Sequence, residues 1–287
     1  MRLSLTTLVL TVIIFSACTT GVTRPLNVIP ISTQNSKTPT KTITTQPSQT
    51  FAPPVVIPTS TTIEITPTAE VNVCSPLEGI SRNELPSILA NPFKPPRPGM
   101  DDGHHGVDFS FWTYKGQSGM KGWQIDSVLT GQVAGILPDK IPYGNAIIIE
   151  TPLEVLPRNW ITALEIQKIA PIQPDSRLFC PIIQNMPVLV DKTESLYLLY
   201  AHMNSPTQLQ MGQKVICGQK IGEVGTTGLS SNDHLHFEVR VGPGNVQFTK
   251  MAHYDNSANF EEMAYYCLWR VSGWFQLIDP ERLITIP

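Results

Sequence analysis

Residues 234–241 carry a clear structural signal and read His-Leu-His-Phe-Glu-Val-Arg-Val. Apolar and polar residues alternate here, which is the period-two pattern of a β-strand. On a strand, the side chains of His234 and His236 point to the same face, roughly 7 Å apart. One imidazole of such a pair is placed to bind a metal ion while the other faces a substrate.

Other short segments share this pattern and are bounded by Gly, Pro or Asn; they are residues 125–136, 146–150 and 195–200. Helical periodicity is restricted to residues 160–169 and 260–268, which lie in two segments that look like insertions, 154–192 and 242–273. We therefore predict a mainly β domain over residues 74–287. It should have a small antiparallel β-sheet core, a metal-binding groove, and helices confined to the insertions.

The first residues of the chain have the composition of a secretory signal. Arg2 precedes an apolar run over residues 3–15, which is shorter than the roughly 20 residues that a membrane span requires. The run ends in Phe-Ser-Ala-Cys, which resembles a bacterial lipoprotein processing site. We expect residues 1–18 to be a signal peptide and Cys18 to be lipidated, which anchors the protein to the outer face of a membrane. Ordinary cleavage that leaves Cys18 free is the alternative.

A linker follows the signal. Thr, Ser and Pro fill 27 of the 54 positions between Thr19 and Asn72. Such a composition buries too little apolar surface to offset its conformational entropy. We predict a disordered tether over residues 19–73, which keeps the following domain near the membrane.

Charge and cysteine content narrow the classes of partner and site. Twenty Lys and Arg against 23 Asp and Glu give a net charge of −3, so we expect no nucleic-acid or nucleotide partner. After Cys18 an even number of cysteines remains in a chain predicted to be exported, where disulfides form. These four allow three pairings, of which we favour Cys74 with Cys267 and Cys180 with Cys217. Their spacing disfavours a zinc–thiolate cluster.

The candidate chemistry lies in the histidines. Five of the six fall in three short clusters, at residues 104–105, 202 and 234–236. Catalytic zinc takes three ligands, commonly imidazole nitrogen and carboxylate oxygen, and keeps a fourth position for water. His104, Asp108 and His236 supply such a set.

Three motifs in this order resemble the lysostaphin and LytM type of zinc endopeptidase, which cuts peptide cross-links of the bacterial cell wall. Residues 104–108 read His-His-Gly-Val-Asp, residues 200–202 read Tyr-Ala-His, and residues 234–238 read His-Leu-His-Phe-Glu after a Gly-rich turn at 225–228. Tyr-Gly-Asn at 143–145 and Asp-Pro at 279–280 also match. The resemblance covers residues 104–241.

The resemblance implies a role for each matching residue. His104, Asp108 and His236 would bind one zinc ion, and His202 and His234 would flank its open coordination position. Zinc lowers the pKa of bound water to near 7 and polarises the scissile carbonyl. One of the two flanking histidines would accept the proton and the other would steady the oxyanion. The sequence does not say which does which.

The remaining histidines and the departures from the family pattern give further expectations. We expect His105 to support the ligands from behind or to form the cleft wall, and His253 to lie on the surface. Residues 91–103 lack the Phe-Gly-x-Arg stretch that many members carry before the first histidine. We expect the two insertions to wall the cleft.

Two functions follow from the sequence. The first is a membrane-tethered zinc endopeptidase that hydrolyses peptide cross-links of cell-wall peptidoglycan. The second is a non-catalytic LytM-like lipoprotein that binds the wall and activates other hydrolases. The complete set of candidate ligands favours the enzyme. The bond that is cut, the membrane that holds the anchor and the oligomeric state are left open by the sequence.

Overall fold

A computed structural model describes residues 71–184, 186–187, 189 and 193–287. The predicted signal peptide with Cys18, and all but the last three residues of the predicted linker, lie outside these residues. Of those three, Val71 and Val73 pack against the hydrophobic core, so the folded part includes residues assigned above to the linker. Among the helices of the described residues, none has the length and apolar composition to cross a membrane.

The described residues form β-strands joined by short loops, with few helices. The strands are β1 (Leu89–Asn91), β2 (Val107–Phe109), β3 (Thr113–Tyr114), β4 (Gln117–Ser118), β5 (Gln124–Asp126), β6 (Gly131–Leu137), β7 (Asn145–Pro152), β8 (Glu194–Met203), β9 (Lys214–Val215), β10 (Lys220–Glu223), β11 (Leu235–Pro243) and β12 (Gln276–Ile278). The α-helices are α1 (Arg158–Ala163), α2 (Phe260–Arg270) and α3 (Pro280–Ile284). Two short 3₁₀ helices cover Leu85–Ile88 and Leu153–Val155.

Eight strands form the main sheet, in the order β1-β2-β11-β8-β7-β6-β9, with β12 also paired to β11. Its strands pair antiparallel, which confirms the predicted mainly antiparallel β fold. The predicted strands at 146–150 and 195–200 lie within β7 and β8, and that at 234–241 forms β11 apart from its first residue.

The single strand predicted over residues 125–136 is wrong, because the chain forms β5 and β6 with a turn between them. Within the turn, the Ser127 hydroxyl donates to the carbonyl of Leu129, and the Val128 amide donates to the Tyr200 hydroxyl. These bonds to side chains replace the strand ladder over the turn.

The main sheet is buried on both faces. In β7, Ile147 and Ile149 face one apolar cluster, whereas Ile148 between them faces the other. Helix α2 belongs to the second insertion and packs Trp269 into the second cluster. Alternating side chains that are all apolar indicate a strand covered on both sides. The second insertion therefore covers one face of the sheet.

The helix predictions are partly right. Helix α2 begins after a capping box formed by Asn259 and Glu262, and it confirms the predicted helix at 260–268. Helix α1 ends at Ala163, six residues before the predicted end, and Glu165 then takes a positive φ of 51°. Helix α3 follows the N-cap Asp279 and lies outside both insertions, so the expectation that helices are confined to the insertions is wrong.

The disulfides differ from the favoured pairing. Cys74 bonds to Cys217, and Cys180 bonds to Cys267, with Cα–Cα distances of 5.6 and 5.8 Å. The first ties the start of the described chain to the turn before β10. The second joins the two insertions to each other. The favoured pairing of Cys74 with Cys267 and Cys180 with Cys217 is therefore wrong, and the structure has one of the other two pairings that four cysteines allow.

Candidate metal centre

Two neighbouring strands bring the candidate ligands together. Strand β2 pairs with β11 so that Asp108 lies directly opposite His236. A β-bridge between Lys94 and His104 holds the latter just before β2. Gly106 permits the close approach of these strands, because a Cβ atom there would lie 2.4 Å from the carbonyl oxygen of Phe237. Any larger residue would push the ligands apart.

Three potential ligand atoms converge at this end of the sheet. Oδ1 of Asp108 lies 2.8 Å from Nδ1 of His236 and 3.1 Å from Nε2 of His104. The two imidazole nitrogens are 3.2 Å apart. Within the described residues, these three form the one group of His, Cys, Asp and Glu whose ligand atoms all lie within 4.8 Å of one another.

His104 and His236 each make a hydrogen bond on the side of the ring that points away from the cluster. In the neutral ring, that bond determines which nitrogen carries the proton and which faces the cluster with a lone pair. Nδ1 of His104 lies 2.9 Å from the carbonyl oxygen of Pro92, and Nε2 of His236 lies 3.2 Å from Oε1 of Glu238. A carbonyl or carboxylate oxygen only accepts, so each of these nitrogens donates. In the neutral ring the other nitrogen is then unprotonated. The two imidazoles and Asp108 therefore present three electron pairs to one point.

These residues fit a zinc ion. Bonds of 2.0–2.1 Å in tetrahedral geometry place ligand atoms about 3.3 Å apart, close to the distances here. Burial tends to lower the pKa of His236, but Asp108 and Glu238 outweigh it and raise that pKa to about 9. Contacts with both histidines hold the pKa of Asp108 far below its usual value despite burial, so the carboxylate is ionised at neutral pH. Without a bound cation, His236 therefore carries a proton on each ring nitrogen, and a zinc ion would displace the proton that faces Asp108. The site favours positive charge in either form.

His202 reaches the same pocket through an irregularity in its strand. Ala201 lies opposite His236, so regular alternation would send the next side chain to the other face of the sheet. Instead, the pairing of β7 with β8 shifts register at this point, and His202 takes a φ of 60°. A bulge of this kind re-aims a side chain, and the left-handed conformation costs roughly 1–2 kcal/mol for a residue other than glycine.

The two remaining histidines lie beside the ligand set with accepting nitrogens available. Nδ1 of His202 donates to the carbonyl of Thr227, and Nδ1 of His234 donates to the carbonyl of Asn232. Their ring centroids are 4.6 Å apart, and Nε2 of His234 is 3.6 Å from Oδ1 of Asp108. Burial and the neighbouring histidines lower the pKa of His202 to about 3, so this ring is neutral at pH 7.

The Gly-rich turn that accompanies the third motif positions His202. Thr227 accepts from His202 through its carbonyl, and its hydroxyl donates to the carbonyl of Met203. Gly144 approaches this turn so closely that a Cβ atom would lie 2.4 Å from the carbonyl carbon of Thr227. The motifs at 143–145 and 225–228 thus contact each other.

Glu238 is central to the site, although the sequence analysis gave it no role. Its carboxylate is completely buried and accepts hydrogen bonds from five side chains: Tyr143, His236, Arg240, Trp269 and Arg270. Burial raises the pKa of Glu238, but the two arginines and His236 lower it further, so it stays ionised. The alternation that joins His234 to His236 also places Glu238 and Arg240 on the same face, which is the signal that could have found them.

Two further residues of the site come from elsewhere in the chain. The Asn91 amide donates to Oδ2 of Asp108 at 3.0 Å, which leaves Oδ1 directed at the ligand cluster. Arg270 lies at the end of helix α2, donates to Asp101 and Glu238, and reaches the pocket wall. No local pattern identifies either residue, because their partners are distant in sequence.

The other two histidines have structural roles. His105 is buried and accepts from Nη2 of Arg240 at 2.8 Å. Arg240 bonds to Glu238, which in turn accepts from His236, so His105 supports the ligand set indirectly and forms no part of the cleft wall. His253 is only 6% exposed, and its Nε2 donates to the carbonyl of Phe179. The expectation that His253 lies on the surface is wrong, because this residue fastens the second insertion to the first.

The pocket above the ligands is lined mainly by the sheet end and the turns around it. Its volume is about 440 Å³, and it is bordered by Ala90, Asn91, His104, Asp108, Ser110, Pro142, Tyr143, His202, residues 229–232, His234, His236 and Arg270. Among the described residues of the two insertions, Arg270 alone contributes to this lining. Their described part therefore walls the cleft only at Arg270, and helix α2 packs against the sheet.

Comparison with solved structures finds several similar chains. The catalytic domain of lysostaphin from Staphylococcus simulans, described as an antimicrobial peptidase, is 20% identical over 56% of this chain and 86% of its own, with a TM-score of 0.33. The catalytic domain of the prophage-encoded M23 protein EnpA from Enterococcus faecalis is 22% identical, over 55% and 82%, with a TM-score of 0.31. A zinc-containing peptidase from Vibrio cholerae is 24% identical, over 55% and 34%, with a TM-score of 0.31.

The sequence also matches a family model. Residues 183–248 match Peptidase family M23. This segment contains two of the three motifs, with His202, His234 and His236. The resemblance to lysostaphin-type and LytM-type peptidases of family M23, recognised above from the three histidine motifs, is confirmed.

Proposed function

We propose that this protein is a membrane-tethered zinc endopeptidase that hydrolyses the peptide cross-links of bacterial cell-wall peptidoglycan. The observation that carries the proposal is the convergence of three lone-pair donors, from His104, Asp108 and His236, beside the accepting nitrogens of His202 and His234. The match to a peptidase family supports hydrolysis of a peptide bond. The wall as substrate rests on the motif resemblance and on the predicted export of the chain.

Each residue of the site has a role in this proposal. His104, Asp108 and His236 would hold the zinc ion, which supplies an acidified water and a polarised carbonyl when bound. Asn91 and Glu238 orient two of these ligands. His202 and His234 would accept a proton at Nε2, because their Nδ1–H groups are already donated to backbone carbonyls. A ring that has taken the proton becomes a donor, which steadies negative charge on the carbonyl oxygen or protonates the leaving amine.

The test compares metal content with turnover. Purified protein should contain one zinc per chain and release new amino termini from peptidoglycan. His236→Ala should lose zinc and activity together. His202→Ala should keep zinc and lose about 10²–10⁴-fold in turnover, the usual contribution of a general base. A zinc-free His236→Ala protein that remains fully active would refute the ligand assignment.

The same experiment distinguishes the enzyme from the second function, a non-catalytic lipoprotein that binds the wall and activates other hydrolases. A protein that activates other wall hydrolases without cutting bonds itself would release no new amino termini when purified. In that case both variants would leave its wall binding unchanged. Walls of defined cross-link chemistry, with the new amino termini identified by mass spectrometry, would name the bond that is cut.

The tether is a separate part of the proposal and has its own test. We propose that the chain is exported and held at the outer face of a membrane through lipidated Cys18. Cys18→Ala should move the protein from the membrane to the soluble fraction. Deleting residues 19–70, which keeps the core residues Val71 and Val73, should leave hydrolysis of soluble wall fragments unchanged and weaken action on intact cells. Equal loss in both assays would contradict the tether.

A further inference from the structure

A second cavity adjoins the metal pocket and has a different chemical character. Its volume is about 350 Å³, and it is lined by Ala90, Ser110, Phe111, Trp112, Gly119, Met120, Asn232 and Asp233. Ala90, Ser110 and Asn232 line both this cavity and the metal pocket, so the two cavities adjoin. A substrate whose scissile bond lies at the metal centre would extend into this second cavity.

The main surface feature of the second cavity is an exposed tryptophan. Trp112 is 89% exposed, the most exposed of the large aromatic residues in the described part of the chain. The turn around it is well held, because the Trp112 carbonyl accepts from the Gly119 amide and the β3–β4 hairpin follows directly. The ring of the preceding residue, Phe111, packs edge-on against Trp123 with centroids 5.1 Å apart. A solvent-facing indole on a hydrogen-bonded turn beside a cleft is a ready binding surface.

Asp233 supplies charge to the same cavity. Its backbone carbonyl accepts from the Ser110 hydroxyl and the Asn232 amide. Its carboxylate makes no hydrogen bond or ion pair with any residue that the structure describes, in contrast to Asp101 and Asp108. A carboxylate without a cationic partner, next to an open aromatic face, is complementary to an ammonium group.

We propose that this cavity is a substrate subsite that binds a primary ammonium group carried on an aliphatic side chain of the peptide. The methylene groups would lie along Phe111 and the face of Trp112, and the ammonium would meet the indole and the Asp233 carboxylate. This subsite deepens the proposed function and rests on it, since a peptide must occupy the metal pocket for its neighbouring residue to reach Trp112. A sugar ring could stack on Trp112 and bond to Asn232, but it carries no cation to pair with the Asp233 carboxylate, so sugar is the competing occupant in the test.

The experiment measures binding independently of hydrolysis. Isothermal titration of the zinc-loaded full chain uses two tripeptides, acetyl-Ala-Lys-Ala-amide and the same peptide with norleucine in place of lysine. We expect the lysine peptide to bind about tenfold more tightly, as cation–π and ion-pair contacts together predict. This preference should fall below about twofold in Trp112→Ala and in Asp233→Asn. An Ala-Ala-Ala-amide peptide with a free amino terminus tests whether a terminal ammonium serves equally well.

Matched controls separate this subsite from general effects. Phe260→Ala removes another exposed aromatic residue, and Glu154→Gln removes an exposed carboxylate, and neither lines the cavity. Both should keep the tenfold preference, and all four variants should keep their zinc.

Equal binding of the two peptides by the unaltered protein would overturn the proposal. So would Trp112-dependent binding of N-acetylglucosamine oligomers without any lysine preference. Wall hydrolysis without a lysine preference would refute only this subsite, and a preference without hydrolysis would refute only the proposed function.

Discussion

The two halves of strand β11 differ in how their polar side chains are satisfied. At its start, His234 and His236 direct ring nitrogens into an open pocket. Further along the same face, Glu238 and Arg240 are completely buried and paired with groups from the second insertion and from the core. One strand face thus carries a reactive end and a structural end. The candidate reactive end is the one where three potential metal-ligand atoms converge on an open pocket.

The comparison also shows that the structural half holds the reactive half in place. Glu238 accepts from His236 on one oxygen and from Arg240 and Trp269 on the other. The orientation of His236, a candidate metal ligand, therefore depends on a helix supplied by the second insertion. Substitutions at Glu238 or Arg240 should therefore weaken metal binding, whereas substitutions of equally buried residues elsewhere in the sheet should not.

The largest effect should follow Glu238→Gln. This change removes the charge that pairs with Arg240 and Arg270 and weakens the bond that orients His236. Zinc affinity should fall about 10–100-fold, which is typical for loss of a group that orients a ligand. The free energy of unfolding should fall by about 3–5 kcal/mol, because two buried guanidinium groups lose a partner. Zinc titration and urea unfolding measure the two effects.

Glu150→Gln is the matched control for that change. Glu150 is 2% exposed on the same sheet and accepts from Tyr197, Gln132 and the Asn245 amide, none of which reaches the pocket. It should lower stability without changing zinc affinity. If both variants lost zinc to the same degree, the effect of Glu238 would be one of general stability.

An intermediate effect should follow removal of the disulfide that joins the insertions. Replacing Cys180 and Cys267 by alanine should cost about 2–5 kcal/mol of stability. Cys267 lies three residues before Arg270 on helix α2, so activity should also fall, by up to about tenfold or ~1.4 kcal/mol in the barrier. Replacing Cys74 and Cys217 should cost similar stability and leave activity unchanged at temperatures where the protein stays folded. Identical activities in the two double variants would show that Arg270 is held without the bridge.

The contrast within β11 also explains what the sequence could predict. Period-two alternation identifies β7, β8 and β11 and places His234 and His236 together, because each of these signals is local. Pairing of adjacent strands then brings Asp108 to His236, as the resemblance implied. Asn91, Arg270 and the disulfide pairing depend on how distant segments pack, and no local pattern encodes that packing.

The errors have the same physical origin. His253 looks like a surface residue because it lies in a polar insertion, yet it is buried where that insertion meets Phe179. The strand predicted over residues 125–136 follows from alternation of apolar and polar residues, but the Ser127 hydroxyl and the Tyr200 hydroxyl interrupt its ladder. In both cases a tertiary contact overrides the local preference.

The smallest effect concerns the backbone strain at His202. Its φ of 60° is unfavourable for any residue with a Cβ atom, so His202→Gly should be about 1 kcal/mol more stable than His202→Ala, while both variants lose turnover to the same degree. Tyr254 in the second insertion has a φ of 61° and provides the matched comparison, since Tyr254→Gly and Tyr254→Ala both lose the same ring. Urea unfolding of the four variants should give the same glycine advantage at both positions, with zinc retained throughout. If glycine gave no advantage at residue 202, the bulge would have relaxed when the imidazole was removed. The hydrogen bond from His202 to Thr227 would then be the contact that holds the left-handed conformation.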